Sequence, residues 1–397
     1  MGTHQLIYLR TDGNKNIASG HLTRCLSLAL ACRQLGMDVH FLVSDEESLS
    51  LLQSIWESWA KTEEKIREPF TLQTAFAVSK LKTASYDCLE RELPELTALL
   101  SAPVPGAFSS VNASSKNDTC VTSGRPVLLI DSYYVTEAYL SALKPFAAIA
   151  YLDDLRLFDY PVDLLVNYDV IPKSELPACR AACQNAGRLL LGAAYTPLRS
   201  QFQGKQIIIK KHVGNILITT GASDPYHFCL SFIHKLKILN SENLRIFSDT
   251  VFHIIIGKLN DDKDALYMRA RELPFLKLHE NVSDMAALML GCDFAVSAAG
   301  TTLYELCALG VPSVSFTMAD NQTASAKAFA DAGAIPFAGD IRKNLDEVLA
   351  MILGLIKDFH DGNSYHQRKS AQTAMRRLVD GSGALRIAQA LKVLSEG

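Results

Sequence analysis

Short apolar runs alternate with amphipathic stretches along most of the chain. Leu6-Ile7-Tyr8-Leu9 reads as a strand covered on both faces. A polar loop, Thr11-Asp12-Gly13-Asn14-Lys15-Asn16, follows it. From Ser19-Gly20-His21 onward, Leu22, Leu26, Ala29 and Leu30 recur at helical spacing, and Gly36 is placed to stop the helix. Val39-His40-Phe41-Leu42-Val43 gives a second strand. A β-α-β unit of this kind predicts a parallel sheet with a right-handed crossover.

The alternation weakens over residues 50–125. There Leu89, Leu93, Leu96, Leu99 and Leu100 predict a helix within 85–102, and the Ser-, Gly-, Pro- and Asn-rich stretch 103–125 predicts an exposed loop. Strands return at 127–131, which ends in Asp131, and at 148–152 and 164–167. A linker is expected between Gly192 and about Gly214. Beyond it, strands at 216–220, 252–256, 294–297 and 313–316 alternate with helices starting near Asp224, Ser283, Thr301 and Asn321. The tail reads as three helices, 343–358, 364–379 and 383–395. The expected architecture is α/β: two doubly wound, Rossmann-like domains facing a cleft, with C-terminal helices. Residues 1–195 form the first domain, with 50–125 as an insertion, and 196–397 form the second.

The composition leaves this picture intact and removes several function classes. The chain has 397 residues, 39 Lys and Arg against 42 Asp and Glu, and a formal charge of −3. That balance gives no support for nucleic-acid binding. No apolar run approaches the roughly 18 residues of a membrane span. Arg10 and Asp12 follow the first short apolar run, unlike a secretory leader. Nine scattered cysteines fit reduced thiols in a cytoplasmic protein, and a monomer is expected. Cys179 and Cys183 lack a second pair to complete a zinc site, and His21 with Cys25 lacks a third ligand, so neither metal nor cofactor is expected.

Ligands of open α/β sheets bind beyond the carboxyl ends of strands, so the loops there carry the candidate chemistry. Gly221-Ala222-Ser223 lies between a strand and a helix, where backbone N–H groups and the helix dipole favour an anion. The same turn also reads as a plain helix start, with Ser223 or Asp224 as cap and Pro225 following. Ser297-Ala298-Ala299-Gly300-Thr301-Thr302 is a second such loop, with Glu305 one turn on. A carboxylate there can accept from both hydroxyls of a ribose, although Thr302-x-x-Glu305 also has the form of a capping box. Two anion loops converging on one sheet edge point to a diphosphate. Asn321 and Gln322 follow the next strand and offer amide groups, or a helix cap. In the first half, His21 stands after Gly20 at a helix start, where a neutral imidazole can take a proton from water. Asp131, Asp153 and Asp154 sit at strand ends as supporting acids.

Together these segments resemble a known family. Gly20-His21-Leu22-x-Arg24-Cys25-Leu26-x-Leu28-Ala29, Ile130-Asp131-Ser132-Tyr133, Gly192-x-x-Tyr195-x-Pro197-Leu198-Arg199-x-x-Phe202, Ser297 to Glu305 and Asn321-Gln322 are similar to the nucleotide-sugar hydrolases of pseudaminic acid biosynthesis. The resemblance spans roughly 6–43 and 127–335. It implies a GT-B architecture, related to the peptidoglycan enzyme that transfers N-acetylglucosamine from UDP. It implies metal-independent, inverting release of UDP from UDP-2,4-diacetamido-2,4,6-trideoxy-β-L-altropyranose, with no partner beyond the UDP-sugar and UDP. By the same resemblance His21 activates water, Tyr133 lines the sugar site, Asn321 lies near sugar and water, and Glu305 holds the ribose. The diphosphate falls to the 221–223 and 297–302 loops. A transferase of the same fold, making a surface or spore-coat polysaccharide, fits nearly the same residues, and so does a nucleotide-sugar binding protein. Release of UDP without an acceptor separates hydrolase from transferase.

Overall fold

The computed structural model describes residues 5–60, 71–102, 125–241, 249–360 and 364–396. The first stretch runs β1 (Leu6–Thr11), α1 (Gly20–Gln34), β2 (Asp38–Val43), α2 (Glu46–Ala60), α3 (Leu72–Ala75), β3 (Ala77–Lys80) and α4 (Leu93–Ser101). It continues through β4 (Val127–Asp131), α5 (Glu137–Leu143), β5 (Ala148–Leu152), β6 (Leu164–Asn167), α6 (Leu176–Ala181) and β7 (Arg188–Leu191). The second half runs β8 (Asn215–Thr219), α7 (Phe228–Ser241), β9 (Val251–Ile256), α8 (Lys263–Glu272), β10 (Leu276–Glu280), α9 (Met285–Leu290) and β11 (Phe294–Ala298). After these come α10 (Thr302–Leu309), β12 (Ser313–Thr317), α11 (Thr323–Asp331), β13 (Phe337–Asp340), α12 (Leu345–His360), α13 (Tyr365–Leu378) and α14 (Gly383–Glu396).

The chain divides into two compact units. One comprises Met1–Asp169, Lys173–Ser200 and Ser382–Gly397; the other comprises Val170–Pro172 and Gln201–Gly381. The first holds a parallel sheet ordered β3-β2-β1-β4-β5-β6-β7, and the second a parallel sheet ordered β10-β9-β8-β11-β12-β13. Both are doubly wound, as the alternation of strands and helices predicted. In each sheet the strand order reverses direction beside the first strand, between β1 and β4 and between β8 and β11. The crevice at such a reversal is where open α/β sheets bind ligands.

Packing explains the least periodic of the helices. In α1, Leu22, Cys25, Leu26, Leu28, Ala29, Ala31 and Cys32 are all buried, more than one helical face can hold. Ile387, Ala388 and Leu391 of α14 belong to the same core as α1 and the sheet, so α1 is covered on two sides. The C-terminal helix therefore belongs to the first unit, whereas the sequence pattern had grouped 196–397 together. A linear reading follows the chain, and this helix returns to the first core late. Within the stretch expected as an insertion, β3 pairs with β2 in register His40↔Ala77 to Val43↔Lys80 and so belongs to the sheet. Ala77-Val78-Ser79-Lys80 is too short and too polar to stand out as a strand. Of the helix expected within 85–102, residues 89–92 form a 3-10 turn and 93–101 the α-helix. The loop expected at 103–125 lies almost wholly outside the described residues.

Candidate functional site

The first unit gathers its polar side chains at the carboxyl ends of β1 and β4. Asp131 ends β4, and His21 opens α1 after the loop that leaves β1. His21 Nδ1 lies 2.6 Å from Asp131 Oδ1. Nδ1 also lies 2.9 Å from Arg24 Nη2, which cannot accept; the ionised Asp131 carboxylate can only accept, so the shorter contact favours the proton on Nδ1, donated to Asp131. In the neutral ring the lone pair is then on Nε2, which has no hydrogen-bond partner among the described residues. Arg24, one turn along α1, donates Nε–H to Asp131 Oδ2 at 2.6 Å and Nη1–H to Asp154 Oδ2 at 2.6 Å. It also donates to Asp131 Oδ1 and to the Tyr168 hydroxyl. Burial alone would raise the Asp131 carboxyl, but the Arg24 guanidinium, and then His21, hold it well below the usual carboxylate range. Asp131 is thus an acceptor fixed in charge and in place. The Tyr133 ring stands edge-on to the His21 ring, with centroids 4.4 Å apart.

Asp154 and Asp153 divide the work expected of them jointly. Asp154 faces Arg24. Asp153 Oδ1 instead accepts from the Leu155 and Arg156 N–H groups at 3.0 and 2.8 Å and from the Tyr160 hydroxyl at 3.0 Å, which makes it a turn former. Arg24 and Tyr168 complete the cluster, and sequence reading had given them no role. The one available signal was Arg24's spacing of three from His21 on a helix.

The second unit collects the other candidates on three neighbouring strand ends. Gly221-Ala222-Ser223 follows β8, residues 297–302 run from the end of β11 into the start of α10, and Asn321-Gln322 follows β12. Here the structure corrects one expectation. Helix α7 starts at Phe228, not near Asp224, and the Asp224 carboxylate accepts from the Phe228 and Cys229 N–H groups at 2.9 Å each. The positive end of that helix is therefore already matched by an internal anion. What the loop still offers are the Ala222 and Ser223 amides, which have no partner among the described residues, whereas Gly221 N–H donates to Thr219 Oγ1 at 3.2 Å.

The loop after β11 sorts its donors the same way. Ala299 N–H donates to the Phe316 carbonyl at 2.8 Å and Gly300 N–H to the Ala298 carbonyl at 2.9 Å. The buried Ser297 hydroxyl donates to the Ala298 carbonyl at 2.9 Å. The free amides at this helix start are those of Thr301 and Thr302, among the described residues. The capping-box alternative for Glu305 does not form: Thr302 is already the first residue of α10, and Thr301, at the cap position, makes no side-chain capping bond. Neither Asp320 nor Asn321 caps α11, since both lie in the 3-10 turn Asp320–Gln322. Gln322 Oε1 accepts from Met318 N–H at 2.9 Å and is engaged locally, while Asn321 is exposed.

A brace behind the 221–223 loop was invisible in sequence. Gly257, just after β9, sits so close that an added Cβ would lie 2.3 Å from both the Gly221 and Ala222 carbonyl oxygens. Leu259 N–H donates to the Ala222 carbonyl at 2.8 Å. Among the described residues no three His, Cys, Asp or Glu side chains converge as metal ligands would, and no helix is long and apolar enough to cross a membrane.

Comparison with known proteins agrees with the fold. No family model matches the chain. It is 31% identical over 219 residues to the spore coat polysaccharide biosynthesis protein SpsG of Bacillus subtilis, a match covering 55% of this chain and 62% of that protein. It is 23% identical over 329 residues to the uncharacterized protein MJ1062 of Methanocaldococcus jannaschii, covering 78% of this chain and 54% of that one. The chain thus spans less than two thirds of the length of either relative. Among solved structures it is similar to Acinetobacter baumannii MurG, with a TM-score of 0.60 at 13% identity over 98% of this chain and 99% of that one. A glycosyltransferase from Rickettsia africae matches with a TM-score of 0.58 at 10% identity, covering 100% and 99%. The fold is that of the GT-B glycosyltransferases.

Proposed function

We propose that the protein transfers a glycosyl group from a UDP-sugar by an inverting displacement at the anomeric carbon, with His21 as the base. The observation that carries this reading is the His21–Asp131 contact, which leaves Nε2 as a free lone pair on a fixed ring. The similarity to a polysaccharide biosynthesis protein supports transfer to a carbohydrate hydroxyl. In the step, the acceptor oxygen bonds to the anomeric carbon and its proton passes to His21 Nε2. The bond from that carbon to the diphosphate oxygen breaks, and UDP leaves with the electron pair. The Thr301, Thr302, Ala222 and Ser223 amides are the donors available to the diphosphate, and such oriented dipoles stabilise departing charge. Tyr133 would line the sugar and Asn321 contact it.

Hydrolysis is the second reading, favoured by the motifs around His21, Asp131 and Arg199 that resemble the UDP-diacetamido-sugar hydrolases. The experiment that tests both is incubation with UDP-2,4-diacetamido-2,4,6-trideoxy-β-L-altropyranose and UDP-N-acetylglucosamine in ¹⁸O-water. Inverted free sugar carrying the label, formed without acceptor, establishes hydrolysis. UDP release only with added glycan establishes transfer. Label in UDP would mean attack at phosphorus and would sink His21 as the base in either.

Two substitutions probe the nucleotide side. Glu305→Gln should weaken UDP binding by about 1.5–3 kcal/mol, because a carboxylate accepts from both ribose hydroxyls through charge-assisted bonds. Calorimetric titration decides it, and unaltered UDP affinity would remove Glu305 from the ribose. Gly257→Ala must push the 221–222 carbonyls aside, and a loop displaced by about 1 Å costs up to roughly 100-fold in a positioned reaction. The expected result is a raised donor KM with the His21 unit's melting transition unchanged. An unaltered KM would show that the loop is not used by the donor.

A further inference from the structure

We propose that Tyr86 and Tyr134, with Asn16, form a carbohydrate-binding shelf that seats the acceptor sugar next to His21. The inference rests on the transfer reading and supplies its second substrate. Tyr133 and Tyr134 follow β4 in succession and each stays 40% exposed, so two adjacent rings face solvent at the carboxyl end of the strand. Their turn is held in shape: Ser132 Oγ accepts from Tyr134 N–H at 3.2 Å, and the Ser132 carbonyl accepts from the Tyr151 hydroxyl at 3.1 Å. Tyr133 goes to His21. Tyr134 meets Tyr86 edge-on, with centroids 5.8 Å apart and planes at 78°.

Two perpendicular rings make an angular surface with an apolar face and a polar rim. A pyranose has the matching shape, with C–H groups on one face and hydroxyls around its edge. The polar rim is present. The Tyr86 hydroxyl accepts from Asn16 Nδ2 at 2.8 Å, which orients the Asn16 carboxamide and leaves its Oδ1 unpartnered among the described residues. The loop that carries Asn16 is pinned by Asn14 Oδ1, which accepts from the Asn16 and Ile17 N–H groups at 2.9 and 3.2 Å. Lys15 N–H is in turn held by Glu47 at 2.8 Å. A site built in advance binds more tightly, because less ordering is needed when the ligand arrives. The shelf thus draws on loops after β1, β3 and β4, the first of which leads into His21 and the last of which follows Asp131.

The test uses the full chain and three probes: methyl N-acetyl-β-D-glucosaminide, methyl α-L-rhamnopyranoside and methyl β-D-galactopyranoside. Saturation-transfer NMR should show at least one of them bound through its ring C–H protons. Its affinity should fall roughly tenfold in Tyr134→Ala and in the exposed-loop variant Asn16→Ala, and persist in Tyr134→Phe, which keeps the ring. No binding by any probe, or equal binding in Tyr134→Ala and Asn16→Ala, overturns the shelf. Melting curves confirm that each variant folds, and if Tyr134→Ala does not, Asn16→Ala alone decides. UDP titrated into the same wild-type sample separates the two ideas. UDP binding without glycoside binding rejects the shelf alone, whereas glycoside binding without UDP binding leaves the shelf standing and rejects the transfer reading.

Discussion

His21→Asn should fold, bind UDP as before, and turn over roughly 10²- to 10⁴-fold more slowly, the range lost when a positioned general base is removed. UDP affinity should hold because the donors assigned to the diphosphate, Thr301, Thr302, Ala222 and Ser223, belong to the second unit and His21 to the first. Asparagine retains a group able to face Asp131 but has no nitrogen with a basic lone pair. The loss should therefore appear in kcat and hardly in donor KM. Single-turnover measurement of UDP release, with a calorimetric UDP titration on the same sample, makes the distinction. Turnover equal to wild type in a folded variant removes His21 from the reaction.

Asp131→Asn should lose both activity and stability, which sets it apart from His21→Asn. Asp131 is buried, and both its oxygens are engaged by Arg24 and His21. Without the carboxylate, Arg24, whose side chain is only 12% exposed, keeps Asp154 but loses its main counter-charge. Removing one partner of a buried ion pair costs about 3–5 kcal/mol, since the other charge is left without compensation. The amide can also donate to His21 Nδ1, which would place the ring proton on Nε2 and remove the base. A fall in kcat on the order of 10³-fold or more, with a lowered melting transition, is expected. The Asp154→Asn variant is the contrast: it touches Arg24 but not His21, so its effect on kcat should be far smaller. Equal kcat losses in the two would mean that the network acts through Arg24 rather than through the imidazole.

The sequence by itself determined the layered α/β plan, because strands buried on both faces must be nearly all apolar and the helices between them need one apolar stripe. It also placed the candidate loops. The 221–223, 297–302 and 321–322 segments all lie at carboxyl ends of neighbouring strands, because a β-α-β chain can only turn toward its next helix there. The position of His21 at a helix start followed from the same pattern. What the tertiary structure alone decided is which groups in those loops remain available. Asp131 lies 110 residues from His21 in the chain, and only the pairing of β1 with β4 brings them together. Asp224 satisfies the helix it was expected to open, and Thr301 makes no cap, because backbone hydrogen bonding is settled by the folded path and not by residue type. Gly257 meets Ala222 because β9 pairs with β8, and Tyr86 meets Tyr134 because the loops after β3 and β4 close on each other beyond the same sheet edge although those strands are not neighbours. The return of α14 to the first core belongs with these, since an apolar helical stripe specifies that it must be covered but not by which unit.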